Sequence, residues 1–298
     1  MPGKTEIAID AASALCLGAR SRQEDALATS FSLGSELGFA VLSDGMGGHA
    51  AGDVASRIIV AEIFAELTLG VDDPGLAEAE LPELLRSAAN VANRRIRARI
   101  DAAPETAGMG GTVIVVVVIE DRLYWLSVGD SPLYLFRDGQ LTRLNDDHSL
   151  APQIDLMVRE GLIDPEVGRN HPQRNCLTSA LIGGEIPSID CPDQPFTLRS
   201  GDLVLVASDG LQYLPDDRIA AVLGRTGGEP SATIAGALMA GVTGLADPEQ
   251  DNISVIVLKA TDTAAERRLA PIAWLSPATI LRAWTGAIAP ARHLGTRS

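Results

Sequence analysis

Only three cysteines, Cys16, Cys176 and Cys191, occur in 298 residues. They lack CxxC spacing and have no histidine in ligand register, so a disulfide scaffold and a zinc site are disfavoured. Lysine is confined to Lys4 and Lys259, and the formal charge is -15. A long phosphate polymer would be repelled by that charge, which argues against nucleic acid as a partner. No basic N-terminal region leads into an apolar stretch, and no uncharged apolar run reaches the roughly 20 residues that span a bilayer. The expected location is therefore cytoplasmic, without a transmembrane anchor. No Ser-His-Asp order is apparent that would support a covalent nucleophile. Gly47 and Gly48 are not followed by the Lys-Ser/Thr of a phosphate-cradling loop, and no solenoid repeat is visible.

What is present is one motif used twice. An apolar strand runs into Ser-Asp-Gly at AVLSDGMGG, giving Asp44 and Gly45, and again at LVLVASDGL, giving Asp209 and Gly210. The β-branched run fixes the backbone, and the Asp stands at the strand tip. The Gly is expected to let the chain turn sharply and to leave its carbonyl open to approach. Carboxylate and carbonyl oxygens suit a hard cation such as Mg²⁺ or Mn²⁺. The acid excess fits the same chemistry.

With 46% hydrophobic and 21% charged content, the chain can build a sizeable core. The patterning predicts strands at 13–18 and 37–43, a helix over about 51–69 and a second over about 81–100. The runs TVIVVVVI, RLYWLSVG and PLYLF, with turns at Glu120-Asp121 and Asp138-Gly139, predict an antiparallel meander. The first of these is apolar on both faces and so should be central and covered. Polar sequence from Asn145 to Arg174 contains one short amphipathic stretch, IDLMVREGL. A further helix, a strand at 203–207, a helix at 231–242 and a strand at 253–258 follow. Two sheets with helices outside explain this order best.

Five acids fall at strand ends or turns: Glu24 and Asp25 in ARSRQEDA, Asp44, Asp209, and Asp251 in EQDNISVIVL. Each alone could merely cap backbone amides. Together they would repel and raise one another's pKa unless cations neutralise them, so their convergence implies metal.

The chain resembles the bacterial form of the metal-dependent Ser/Thr protein phosphatases of the PP2C type. The likeness runs in order through ARSRQEDA, VLSDGMGGHAAGDVAS, GMGGTVIVVV, VGDSPLYLFRDGQL, DDHSL, HPQRNCLTSALIG, GDLVLVASDGL and DNISVIVL, over about residues 13–259. It implies an α+β fold, a four-layer α-β-β-α sandwich of two mainly antiparallel sheets flanked by helices. It also implies hydrolysis of phosphoserine and phosphothreonine by a water bridging two Mn²⁺ or Mg²⁺ ions, without a phosphoenzyme. By the same likeness Asp44 bridges both ions, the Gly45 carbonyl binds the first, and Asp209 and Asp251 bind the second. Glu24 adds a ligand, Asp25 orients metal-bound water, and Arg20 grips phosphate with its planar fork. Asp130, in VGDSP, matches a third, weaker metal position. Its bland alternative is a strand-end turn.

One position departs from the family pattern: Pro132 replaces an Arg common after the Asp-Ser pair. Met46 stands, as in the bacterial pattern, where some members carry a His proposed as general acid. A metal-bound water is the preferred proton donor. His49, His148 and His171 read as structural. The resemblance assigns residues 1–260 to the phosphatase domain, with a substrate-screening flap at about 145–174. Residues 261–298 form a basic tail whose Ile280, Leu281, Trp284 and Ile288 share one face after a helix start at Ser276-Pro277. That tail is expected to bind its own domain or a partner. The expected partners of the enzyme are phosphoproteins, substrates of a Ser/Thr protein kinase. The alternatives are a phosphoprotein-binding scaffold without turnover and a phosphatase dedicated to one regulatory phosphoprotein.

Overall fold

Alternation along two apolar strands organises the structure, a computed structural model that describes residues 7–31, 37–47, 51–71 and 77–262. All of these belong to one compact unit. Gly48, His49 and the tail with its expected helix lie outside the described residues. The strands are β1 (Ile7–Cys16), β2 (Asp25–Ser30), β3 (Leu37–Met46), β4 (Gly110–Gly111), β5 (Val113–Ile119), β6 (Arg122–Val128), β7 (Leu133–Arg137), β8 (Gln140–Arg143), β9 (Phe196–Thr197), β10 (Leu203–Ala207) and β11 (Ile253–Asp262). The α-helices are α1 (Gly52–Val71), α2 (Leu81–Ala102), α3 (Ala151–Arg159), α4 (Pro165–Arg169), α5 (Asp216–Thr226) and α6 (Ser231–Thr243).

One sheet runs β1-β11-β10-β7-β8 and the other β2-β3-β5-β6-β9, with β4 on β3. Every strand pair is antiparallel. In β5, Val113, Val115 and Val117 pack under α1 and α2, while Ile114, Val116 and Val118 meet Val204, Val206, Ile256 and Leu258 of the facing sheet. The opposite faces of β10 and β11 bury Leu205 and Val257 against Ile234 and Leu238 of α6 and Leu223 of α5. The result is the helix-sheet-sheet-helix sandwich expected. β5 is central and covered because period-two side chains are apolar on both faces.

The structure corrects several local expectations. The first strand begins at Ile7 and ends at Cys16. The meander is broken: β5 and β6 pair, but β7 crosses into the other sheet and pairs with β10 and β8. The crossing passes through Gly129, at φ 109°, and Ala207 N–H donates to the Pro132 carbonyl across 3.1 Å. No helix lies between Arg174 and Leu203; the additional helix is α5, after β10. The strand β2, half-exposed and short of bulky apolar residues, carries too weak an alternation to be foreseen. The Asn145–Arg174 segment contains α3 and α4 and is tied by Arg174, whose fork holds Asp155 at 2.7 and 2.8 Å.

Candidate metal centre

The two Ser-Asp-Gly tips come from opposing sheets and open on one cleft of about 630 Å³, lined by Glu24, Asp44, Gly45, Asp130, Asp209 and Asp251 among others. Asp44 stands opposite Asp25 in the β2–β3 register, which puts both side chains on one face of the sheet. Asp209 follows β10 directly after Ser208, and Asp251 is separated from β11 by Asn252 alone. Glu24 immediately precedes β2, and Asp130 lies in the crossover from β6 to β7.

Both glycines serve close approach, and the expected sharp turn occurs at Gly210, where Leu211 N–H closes a turn on the Ser208 carbonyl at 3.2 Å, but not at Gly45. Gly45 continues β3 opposite Gly111 and lacks positive φ, which first appears at Gly47 (147°). A Cβ on Gly45 would stand 2.1 Å from the Gly52 carbonyl oxygen and 2.6 Å from that of Glu24. One on Gly210 would stand 1.9 Å from the Asn252 carbonyl oxygen. Only glycine lets these backbones meet.

Crowded carboxylates leave a clear electrostatic signature. Burial pushes Asp44 well above the ordinary carboxylate range, and the charges of Asp209, Asp25, Asp130 and Asp251 add to it. Burial and Asp251 raise Asp209. Burial raises Asp130 to about 7, with Asp209 and Asp147 contributing. Asp25 is raised to about 6 by burial, although the hydrogen bond from Ser208 opposes the shift. Glu24 is also raised, again chiefly by burial. The buried atoms Asp25 Oδ1 and Asp209 Oδ1 have no hydrogen-bond partner. Buried anions without donors are costly unless something cationic meets them.

Arg20 sits on the rim. Its guanidinium donates to Asp251 Oδ2 across 2.7 Å, with the arginine side chain 54% exposed. The other oxygen of Asp251 accepts from Asn252 N–H at 2.8 Å. Among the described residues, no three His, Cys, Asp or Glu side chains already stand as a metal-holding group.

Several supporting residues were not singled out from the sequence. Asn252 accepts Glu24 N–H at 2.7 Å and donates to the carbonyls of Leu17 and Arg22 at 2.9 Å, tying the Arg20–Glu24 loop to β11. Ser208 donates to Asp25 at 2.8 Å. Thr112 receives Asp44 N–H at 3.1 Å and meets Ser131 at 2.9 Å. The Arg143 guanidinium donates to the Asp130 carbonyl at 2.7 Å. Asn252, Ser208 and Ser131 adjoin site acids in the sequence, whereas Thr112 and Arg143 carry no such signal. His148 is buried, its Nδ1 accepting Gly129 N–H at 3.2 Å. His171 Nδ1 accepts Gln173 N–H at 3.2 Å. The His171 contact is local, whereas that of His148 ties its segment to the residue before Asp130; neither histidine lines the cleft.

The model of the family described as Protein phosphatase 2C matches residues 16–226. The serine/threonine protein phosphatase PstP of Mycobacterium tuberculosis is 38% identical over 171 residues, 57% of this chain and 31% of that protein. The chain thus spans about a third of the length of these mycobacterial relatives. The serine/threonine phosphatase stp of Listeria monocytogenes is 32% identical over 188 residues, 61% of this chain and 70% of that protein. Among solved structures, the PstP catalytic domain in complex with two manganese ions is similar at a TM-score of 0.67 and 31% identity, covering 86% of this chain and 100% of that one.

Proposed function

The chain belongs to the protein phosphatase 2C family, and on that premise we propose that it is a metal-dependent phosphatase hydrolysing phosphoserine and phosphothreonine in proteins. One observation carries the reading: acids from both sheets meet in one cleft, with raised pKa values and an unpartnered buried oxygen on Asp209. A donor set of carboxylates and one backbone carbonyl fits Mn²⁺ or Mg²⁺. Asp44, shared between two ions, with the Gly45 carbonyl, Asp209, Asp251 and Glu24 would hold them, and Asp130 would serve a third. When bound, the ions supply an acidified water as nucleophile and withdraw charge from the phosphate oxygens.

The protein's own groups do the remainder. Asp25, fixed by Ser208, presents its free Oδ1 as the acceptor that orients the attacking water. Arg20, already at the cleft rim, leaves Asp251 when that carboxylate is engaged and grips two phosphate oxygens. Residues 1–260 form the phosphatase domain, with Asn145–Arg174 as a flap that screens substrates. Residues 261–298 form a basic tail that binds the domain or a partner. The substrates are phosphoproteins made by a Ser/Thr kinase in the cytoplasm. No helix among the described residues is long and apolar enough to cross a membrane.

The test is hydrolysis of a phosphothreonine peptide by the full chain with Mn²⁺, and its abolition by a chelator. Metal-reversible release of phosphate supports the proposal. Folded, Mn²⁺-supplied protein that binds the peptide without turning it over would identify a scaffold instead.

A further inference from the structure

The C-terminal half of α2 carries Arg94, Arg95, Arg97 and Arg99 against one acid, Asp101, in a chain of formal charge -15. All four arginines are exposed. Arg95 lies 3.2 Å from Glu62 and Arg97 3.0 Å from Asp101, with both arginine side chains 63% exposed. Exposed pairs of this kind are weak and exchange partners readily. The side chains of Arg94 and Arg99 have no ion-pair or hydrogen-bond partner among the described residues. Complementing the helix dipole explains Arg99 in the last turn. It does not explain Arg94 and Arg95, further from the end, because the effect fades within one turn.

The elements packed on the two sides of the ridge both reach the acid cleft. Gly70, near the end of α1, packs on Leu84, near the start of α2, so the two helices are antiparallel. The arginine end of α2 therefore meets the start of α1, where Gly52 packs on Gly45 and Glu24. Between them lies a groove of about 370 Å³ formed by Val54, Ile58, Ala98 and Ala102, with Arg95 and Arg99 at its edge. On the other flank, a Cβ on Gly183 would stand 2.8 Å from the Arg97 backbone. The loop that contains Gly183 lines the cleft through Ile182 and Glu185.

We propose that this arginine ridge docks an acidic peptide segment of the substrate, so that phosphosites flanked by Asp and Glu are selected. The proposal rests on the phosphatase reading above and names its substrate class. Guanidinium forks match carboxylates in pairs, and the apolar groove gives the peptide's intervening side chains a place to lie. A long polyanion is a poor occupant, since everything beyond the ridge meets a net-negative body.

The test compares kcat/KM of the full chain with Mn²⁺ on three substrates: p-nitrophenyl phosphate, a phosphothreonine peptide with a Glu/Asp block on one flank, and its Gln/Asn counterpart. The acidic peptide should be preferred about tenfold at low salt, through KM, and the preference should fade near about 0.5 M salt. In R94Q/R95Q/R99Q it should shrink to about twofold or less, with the neutral peptide and p-nitrophenyl phosphate unchanged. The charge-keeping R94K/R95K/R99K should retain most of it. No preference in the wild type, or an undiminished one in the Gln variant, overturns the proposal. So does a Gln variant that loses binding to a DNA oligonucleotide or phosphatidylserine vesicles while keeping its peptide preference. If folded wild type hydrolyses none of the three, the phosphatase reading fails. Docking is then read from anisotropy of the labelled acidic peptide, where equal binding by wild type and Gln variant overturns it.

Discussion

Asp25 and Asp44 face one another as register partners on β2 and β3, two carboxylates on one face of one sheet. Burial raises both, Asp25 to about 6. Their folded-state pKa values exceed the unfolded ones, so the folded state holds protons that the unfolded state releases. Stability of the metal-free protein should therefore rise as pH falls from about 8 to about 5, and decline as pH climbs back through 6–7. Mn²⁺ relieves the same repulsion and should raise Tm more at pH 8 than at pH 5. Thermal melts at both pH values, with and without Mn²⁺, check this. A Mn²⁺ shift larger at pH 5 would contradict it.

Removing the Ser208 hydroxyl should expose how Asp25 is held. S208A takes the donor from Asp25 Oδ2, while Oδ1 already has none, at a cost of about 1–3 kcal/mol. It also removes an interaction that lowers the Asp25 pKa. The acid limb of the kcat/KM profile should move to higher pH. An unmoved limb would place the essential base elsewhere.

Gly45→Ala forces a Cβ to 2.1 Å from the Gly52 carbonyl oxygen, which is backbone and cannot swing away. Displacement of β3 from α1 should lower Tm and weaken Mn²⁺ uptake. Gly228→Ala, where nothing lies within 4 Å, is the control and should alter neither.

Asn252→Ala removes three hydrogen bonds that hold the loop carrying Arg20 and Glu24. Loss of positioning worth about 1–3 kcal/mol corresponds to roughly a fivefold to 150-fold fall in kcat/KM. Steady-state kinetics on a phosphothreonine peptide would show it, and a value within twofold of wild type would mean the loop holds itself.

Much of the sandwich is readable because apolar alternation is strong where both faces are buried, as in Val113–Ile119. Sheet membership is not readable that way: RLYWLSV and LYLFR look like successive hairpin strands, and only the turn at Gly129 sends the second across. Edge strand β2 is half-exposed, so DALATS carries little period-two signal. α5 opens with Pro215-Asp216-Asp217, a helix-start pattern overlooked beside the stronger apolar strand before it. At the site, the acids stand out as carboxylates in buried company. Asn252, Thr112, Ser131 and Ser208 do not, since Asn, Ser and Thr in loops are usually ordinary turn formers.

The central claim is that the acids of the two Ser-Asp-Gly tips hold divalent ions. Calorimetric titration of Mn²⁺ into metal-free protein tests it most directly, alongside D44A and D209A. At least two ions should bind the wild type. D44A should lose most uptake, and D209A should lose one ion and keep another. No uptake by folded wild type, or unchanged uptake in D44A, would contradict the assignment.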